Sequence, residues 1–333
     1  YLWHWPIISF LRYSGVALTP LVSAGIVGAS LLLGWVSWRL IETGYRASLH
    51  RPGKLPLAIA ALATALTIGV PVAVWMQHGF PQRFPFTLLT QEQLTEERGR
   101  YWRDLSALTG TFSEGETAKQ VLIVGDSHAY DLSYALMENR FPGRLKLIET
   151  FAPCYNFGHD AVLPADAPMC AERLQAVLTS PELKMADAIY LHDHWGKLDL
   201  AALTDMLRQL RAVSSAPIYV FGPKMMFSQE VLKISQDAQR AHQITAGAIN
   251  AYSVAYRNPD KAAMDRQLKA FFQTPPVANV RYVGWLDVQC GAAMRCDVLT
   301  EDGQYLYFDA GHFTLLGSRQ FGERLKAAHP ELF

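Results

Sequence analysis

Residues 13–38 contain no Asp, Glu, Lys or Arg, and neither do residues 55–82. Uncharged runs of this length constrain the chain more than any other feature, because about 20 apolar residues suffice to span a bilayer and soluble cores seldom contain such runs. Two membrane-spanning helices are expected; the alternative is a pair of buried helices in a large soluble core. Neither run has the character of a signal peptide. Arg39, Arg46, Arg51 and Lys54 lie between them, a short basic loop that the charge asymmetry of membrane proteins puts in the cytoplasm. The second run then exits outward, so everything after it is expected on the far side of a bacterial inner membrane, in the periplasm. Because the chain opens on Tyr1 inside an apolar, aromatic stretch, it is expected to be a fragment of something longer. With charged residues at 18% and a formal net charge of zero, nothing suggests a nucleic-acid partner.

The cysteines bear on that placement. All four, Cys154, Cys170, Cys290 and Cys296, follow the second run, and an even count in an oxidising compartment suggests disulfides. Three pairings exist, and the sequence-local one, Cys154 with Cys170 and Cys290 with Cys296, would close two short surface loops. Zinc is the competing reading, although neither pair has the spacing of a structural zinc site. Free buried thiols are the third.

Residues 80–118 mix prolines (Pro81, Pro85), a charged patch from Glu92 to Arg103 and a Gly/Ser/Thr-rich stretch, which reads as a connector with one short helix. From Val121 onward short β-rich apolar runs alternate with longer helical patterns, the signature of a doubly wound α/β domain. Strands are expected near 121–124, 145–150, 187–193, 217–222 and 280–285, with helices near 128–139, 199–213, 231–256, 260–272 and 314–327.

The first strand runs into Gly125-Asp126-Ser127-His128, so Ser127 stands where a strand's C-terminal end meets a helix N-terminus, the place where open α/β sheets bind ligands. A serine hydroxyl needs a base to become a nucleophile, and a helix N-terminus offers N–H groups to a developing oxyanion. Alternatively, Asp126 or Ser127 only caps the helix. Near the other end, Asp309-Ala310-Gly311-His312 precedes the last helix. An Asp and a His three apart in one turn can touch, the carboxylate fixing one imidazole tautomer while the other nitrogen faces a serine. Alone, such a pair reads as a cap and a surface histidine.

The two motifs together resemble the SGNH (GDSL-like) hydrolase superfamily over roughly residues 119–330. The resemblance implies a three-layer α/β/α fold with a parallel sheet, Ser127 as nucleophile, and Asp309 and His312 as triad partners. The family's oxyanion hole, formed by the nucleophile's N–H, a glycine and an asparagine, is matched less well. Gly158 is the best-placed glycine, though a turn glycine would look the same. The third loop reads Leu191-His192-Asp193-His194-Trp195, where Trp195 marks the register and His194 occupies the usual Asn position. Alternatively, His192, Asp193 and His194 line a polar loop or hold a metal.

At the other end, YLWHWP at 1–6 and WRLIETGYR at 38–46 resemble the end of acyltransferase family 3 membrane proteins, whose proline after the Ile-Glu pair is replaced here by Thr43-Gly44. The expected organisation is therefore residues 1–80 as transmembrane helices of such a domain, 81–118 as a periplasmic linker and 119–333 as the SGNH-like catalytic domain. Proteins of this build are similar to bacterial O-antigen and other glycan O-acetyltransferases. The implied activity is transfer of an acyl group, most simply acetyl, to a hydroxyl of a lipid-linked or surface polysaccharide. Acetyl-CoA would feed the membrane part, with no cofactor or metal in this domain. Trp195, Tyr155 and Trp285 are expected as sugar-stacking surfaces. The rivals are a membrane-tethered carbohydrate esterase and a catalytically silent glycan-binding module.

Overall fold

A computed structural model describes residues 3–13, 16, 18–43, 54–77, 80, 91–103, 105, 110–150, 153–158 and 160–333. It divides into two units, Tyr1–Arg83 and Phe84–Phe333. Arg46, Arg51, Pro81 and Pro85, on which the basic-loop and linker readings rest in part, lie outside the described residues.

In the first unit a helix at Pro20–Ser37, capped by the Thr19 hydroxyl, is long and apolar enough to cross a membrane. Its 18 residues would extend roughly 27 Å at about 1.5 Å per residue, against a hydrocarbon core of about 30 Å. Its leucines Leu21, Leu31 and Leu32 are exposed. A second helix, Lys54–Met76, contains Pro71, and its described apolar stretch, Ala61–Met76, is shorter than a full span.

The second unit is built on a five-stranded parallel sheet: β1 (Gln120–Gly125), β2 (Arg144–Glu149), β5 (Ala188–His192), β6 (Ile218–Phe221) and β7 (Val280–Val283), in the order β2-β1-β5-β6-β7. A two-stranded hairpin, β3 (Cys154–Tyr155) with β4 (Asp160–Ala161), stands apart. Period-two alternation sorts the strands' side chains onto two buried faces. Val121, Ile123, Tyr190 and Phe221 join the core beneath the helices Ser127–Glu138 and Leu315–Ala328. Leu122, Val124, Leu191 and Val220 join the core beneath Leu200–Val213 and Pro259–Phe271. Burial on both sides is why the strands read as near-continuous apolar runs. The order is that of a doubly wound α/β fold in three layers, and its direction reverses between β1 and β5, where such sheets open a crevice at their C-terminal ends.

Several boundaries differ from the sequence expectation. The helix expected over 231–256 is two, Val231–Arg240 and Ala246–Ser253. His242 adopts a left-handed conformation between them (φ 60°), and the Thr245 side chain accepts from the Ala248 N–H to start the second. The last strand stops at Val283, and a short helix, Trp285–Cys290, follows at once. Helices at Ala167–Thr179 and Pro181–Met185 fill a stretch left unassigned from sequence. The sulfurs pair locally, Cys154 with Cys170 and Cys290 with Cys296, but all four cysteines are buried. The first bridge ties β3 to the Ala167–Thr179 helix and does not merely close a surface loop.

Candidate active site

Ser127 is the first residue of its helix, and the Asp126 side chain caps it by accepting the His128 N–H at 2.9 Å. The residue before Asp126, Gly125, has to be glycine. A Cβ on Gly125 would lie 1.7 Å from the His192 carbonyl oxygen of the neighbouring strand, so only a residue without a side chain lets β1 and β5 close here.

The other half of the site arrives from the turn before the Leu315–Ala328 helix. Asp309 Oδ1 accepts the N–H groups of Gly311 and His312 at 2.8 and 2.7 Å, and its Oδ2 lies 2.7 Å from His312 Nδ1. His312 Nε2 lies 2.9 Å from Ser127 Oγ. A carboxylate accepting from Nδ1–H leaves Nε2 with its lone pair toward the serine hydroxyl, which donates to it. Burial raises the Asp309 carboxyl's pKa, but the hydrogen bonds and charge of His312 and the Gly311 N–H outweigh it and hold the group at about 2. The Phe308 ring lies nearly parallel to the imidazole at 5.6 Å between centroids, and the Phe227 N–H donates to Ala310 O at 2.8 Å. The turn is fastened on both sides.

The loop after β5 is organised differently. His192 is buried and stacks on Trp285 at 4.0 Å. Asp193 also turns inward, its Oδ2 accepting the Phe157 N–H at 3.0 Å and its Oδ1 the His194 N–H at 2.9 Å. Asp126 Oδ2 accepts that same His194 N–H at 3.1 Å. The Asp126 and Asp193 carboxyls hydrogen-bond to each other, and burial, followed by the charge of Asp193, raises the Asp126 pKa well above the carboxylate range. Burial raises the Asp193 pKa as well, so the pair disfavours ionisation of both carboxyls at once. Lys261 completes the arrangement by donating from Nζ to His194 O and Trp195 O at 2.7 and 3.1 Å. Of the three polar residues only His194 reaches the cleft, so His192, Asp193 and His194 do not converge as a metal site would require. Burial, then the charges of Lys261 and His312, lowers the His194 pKa to about 4, and its ring is neutral at pH 7.

A cleft of about 540 Å³ brings Ser127, His312, His194 and Asp126 together with Tyr155, Leu163 and Met226. Two sequence assignments need correction. Trp195 is 1% exposed and donates its indole N–H to Phe221 O at 3.0 Å, and Trp285 is fully buried. Both rings are core, and only Tyr155 of the three proposed stacking residues lines the cleft. Gly158 (φ 94°) is buried, with Cys170 O and Leu174 next to where a Cβ would sit, and is not among the residues lining the cleft. Its glycine serves a tight approach to the Ala167–Thr179 helix. Asp126, Asp193 and Lys261 were not singled out from sequence as a cluster. Only the position of Asp126 beside Ser127 hinted at it; Lys261 opens a distant helix with no motif around it.

Together these features define a doubly wound α/β domain with a serine, a histidine and an aspartate in hydrogen-bonded series at the C-terminal end of its sheet. The family described as "SGNH domain (fused to AT3 domains)" matches residues 95–327, and the chain belongs to it. The periplasmic domain of a lipopolysaccharide acetyltransferase from Salmonella ser. Paratyphi A superposes with a TM-score of 0.53 at 15% identity, over 73% of this chain and 98% of that one. No curated protein matches the chain.

Proposed function

We propose that this chain transfers an acyl group, most simply acetyl, to a hydroxyl of a cell-envelope glycan through an acyl-Ser127 intermediate. The observation that carries the reading is the hydrogen-bonded series Ser127 Oγ, His312 Nε2, His312 Nδ1, Asp309 Oδ2, with separations of 2.9 and 2.7 Å, at the sheet's switch point. In the first step Ser127 Oγ bonds to the acyl carbonyl carbon while its proton passes to His312 Nε2. The tetrahedral intermediate then collapses, the donor's leaving atom departs with that proton, and the acyl group stays on Oγ. In the second step Nε2 takes the proton of a glycan hydroxyl as its oxygen attacks the acyl carbon. The bond to Oγ breaks, and Ser127 recovers the proton. Asp309, anionic throughout, holds the imidazole and its positive form.

The oxyanion is assigned to the Ser127 N–H at the helix start and to a ring N–H of neutral His194, in place of the family's asparagine. Glycan chemistry is proposed because the superposing periplasmic domain belongs to a lipopolysaccharide acetyltransferase, and because the family is one fused to membrane acyltransferase domains. Residues 1–80 lie outside the family match and are read, on the sequence resemblance alone, as the tail of such a membrane domain in a multi-pass inner-membrane protein whose catalytic domain faces the periplasm. The exposed apolar helix at Pro20–Ser37 and the two disulfides support that topology. Acetyl-CoA would be spent by the membrane part, and none is needed at Ser127.

The test is to incubate the chain with an activated acetyl ester, trap by acid, and map the adduct by mass spectrometry. Acetyl on the Ser127 peptide, passed on when a glycan acceptor is added, is the expected result. An unmodified Ser127 with turnover intact would sink the reading.

A further inference from the structure

Beneath the site lies a pair of charges that the steps above do not use. Lys224, just after β6, and Asp131, on the nucleophile's helix, form an ion pair in which both side chains are wholly buried. Asp131 sits one turn beyond Ser127. Its Oδ2 takes the Lys224 ammonium, and its Oδ1 accepts the N–H of Phe313, the residue after His312, at 3.2 Å. The ammonium also lies 3.8 Å from the centre of the Phe313 ring.

We propose that Asp131 and Lys224 are positioning residues that set the distance between nucleophile and base; this rests on the roles given above to Ser127 and His312. Asp131 bolts the helix that presents Ser127 to the backbone beside His312. Lys224 grips both ends of that bolt, the carboxylate by charge and the Phe313 ring by cation–π attraction. Stability alone does not account for the pair, because a buried ion pair exchanged for apolar residues of similar volume is often as stable or more so. A misplacement of about 1 Å, by contrast, can lower turnover about 10²-fold.

The experiment uses the full chain in detergent and reads the rate at which a fluorophosphonate labels Ser127 across pH, which depends on the nucleophile and its base and on no acceptor. Asp131→Asn and Lys224→Met are each expected to slow labelling by about 10- to 100-fold. The acidic limb of the profile should move in opposite directions. With Asp131 neutral, the leftover Lys224 cation disfavours a second positive charge on His312 and the limb moves to lower pH. With Lys224 gone, the leftover carboxylate moves it higher. Among the described residues, other charged or titratable groups near His312 are Asp309 in its own turn, His128 on the nucleophile's helix, His194 after β5, Glu230 before the Val231–Arg240 helix and its partner Arg98, which lies over the Phe308 ring, and none of these is altered.

The double variant Asp131→Leu/Lys224→Met carries neither charge and decides the matter should a single variant fail to fold. Folded but slow, with the limb where the parent's is, it supports the proposal. Labelling within twofold of the parent rate overturns it, as does failure of the double variant to fold, which would assign the pair to stability. If the unsubstituted chain shows no labelling that Ser127→Ala abolishes, it is the proposed function that falls.

Discussion

The turn at 309–313 and the loop at 192–196 are made of the same residue types, an aspartate beside histidines at the C-terminal end of the sheet, yet they are wired in opposite senses. In the turn, Asp309 is held anionic by N–H donors and by His312, and the imidazole points outward to Ser127. In the loop, Asp193 is buried against Asp126, whose pKa burial and the Asp193 charge raise, His192 is packed on Trp285, and only the neutral ring of His194 faces the cleft. The difference lies in what each carboxylate accepts. Besides backbone N–H groups, Asp309 accepts an imidazole N–H and so aims that ring at a serine, whereas Asp193 accepts the Phe157 N–H from another segment and hydrogen-bonds to Asp126, which braces the loop.

The sharpest way to break the comparison is to remove the outward-facing unit. Ser127→Ala and His312→Ala are each expected to lower acyl transfer by at least about 10³-fold without unfolding the domain, and the double variant should be little worse than either. Retention of more than about a tenth of the activity by Ser127→Ala would show that the turn is not a base aimed at a nucleophile. In the loop the effect should be smaller. His194→Ala should lose roughly 10²-fold in turnover, the size seen for one oxyanion donor, and His194→Asn should recover part of it. Unchanged turnover in His194→Ala would leave the loop purely structural.

A smaller effect separates brace from base through the first disulfide. Cys154 begins the segment from which Phe157 donates to Asp193, so Cys154→Ala/Cys170→Ala loosens the loop's support and leaves the Asp309 turn untouched. Unfolding by urea should show a loss of about 2 to 3 kcal/mol. Mildly reduced turnover is expected with it. A loss of activity as deep as in Ser127→Ala would mean that the two regions are not separable.

The two ends of this wiring were legible in the sequence to different degrees. The parallel sheet followed from apolar β-rich runs alternating with helical stretches, and the Ser127 and Asp309/His312 motifs are contiguous, so each displays its own chemistry. Trp195 and Trp285 were misplaced because periodicity says an aromatic is beside a strand, not on which side of the surface it ends. Gly158 showed only that some backbone there needed room. Asp131, Lys224 and Lys261 meet their partners across 93, 93 and about 67 positions of chain, and no local pattern announces a contact made by the fold. The break at His242 was hidden because a left-handed residue other than glycine carries no signal of its own.

The finest distinction between the regions is the sign of their response to pH, read on stability with one substitution in each. Asp309 has a folded pKa of about 2, below its ordinary value of 3.8. Its contribution to stability is therefore present above about pH 4 and is lost as pH falls toward 2. At about 1.4 kcal/mol per pKa unit it amounts to roughly 2 kcal/mol. Asp309→Asn should accordingly lose that much at neutral pH and converge on the parent in acid. Asp126 is the reverse case, its folded pKa raised by burial and by Asp193. Its contribution is present below about pH 4 and is lost as pH rises through the folded value. Asparagine caps a helix as well as aspartate does and cannot ionise. Whatever fixed effect Asp126→Asn has in acid, its stability relative to the parent should climb as pH rises above 4. Urea midpoints from pH 3 to 8 would test both. Curves for the two variants that run in the same direction relative to the parent would mean that the carboxyls of the turn and the loop are not wired in opposite senses.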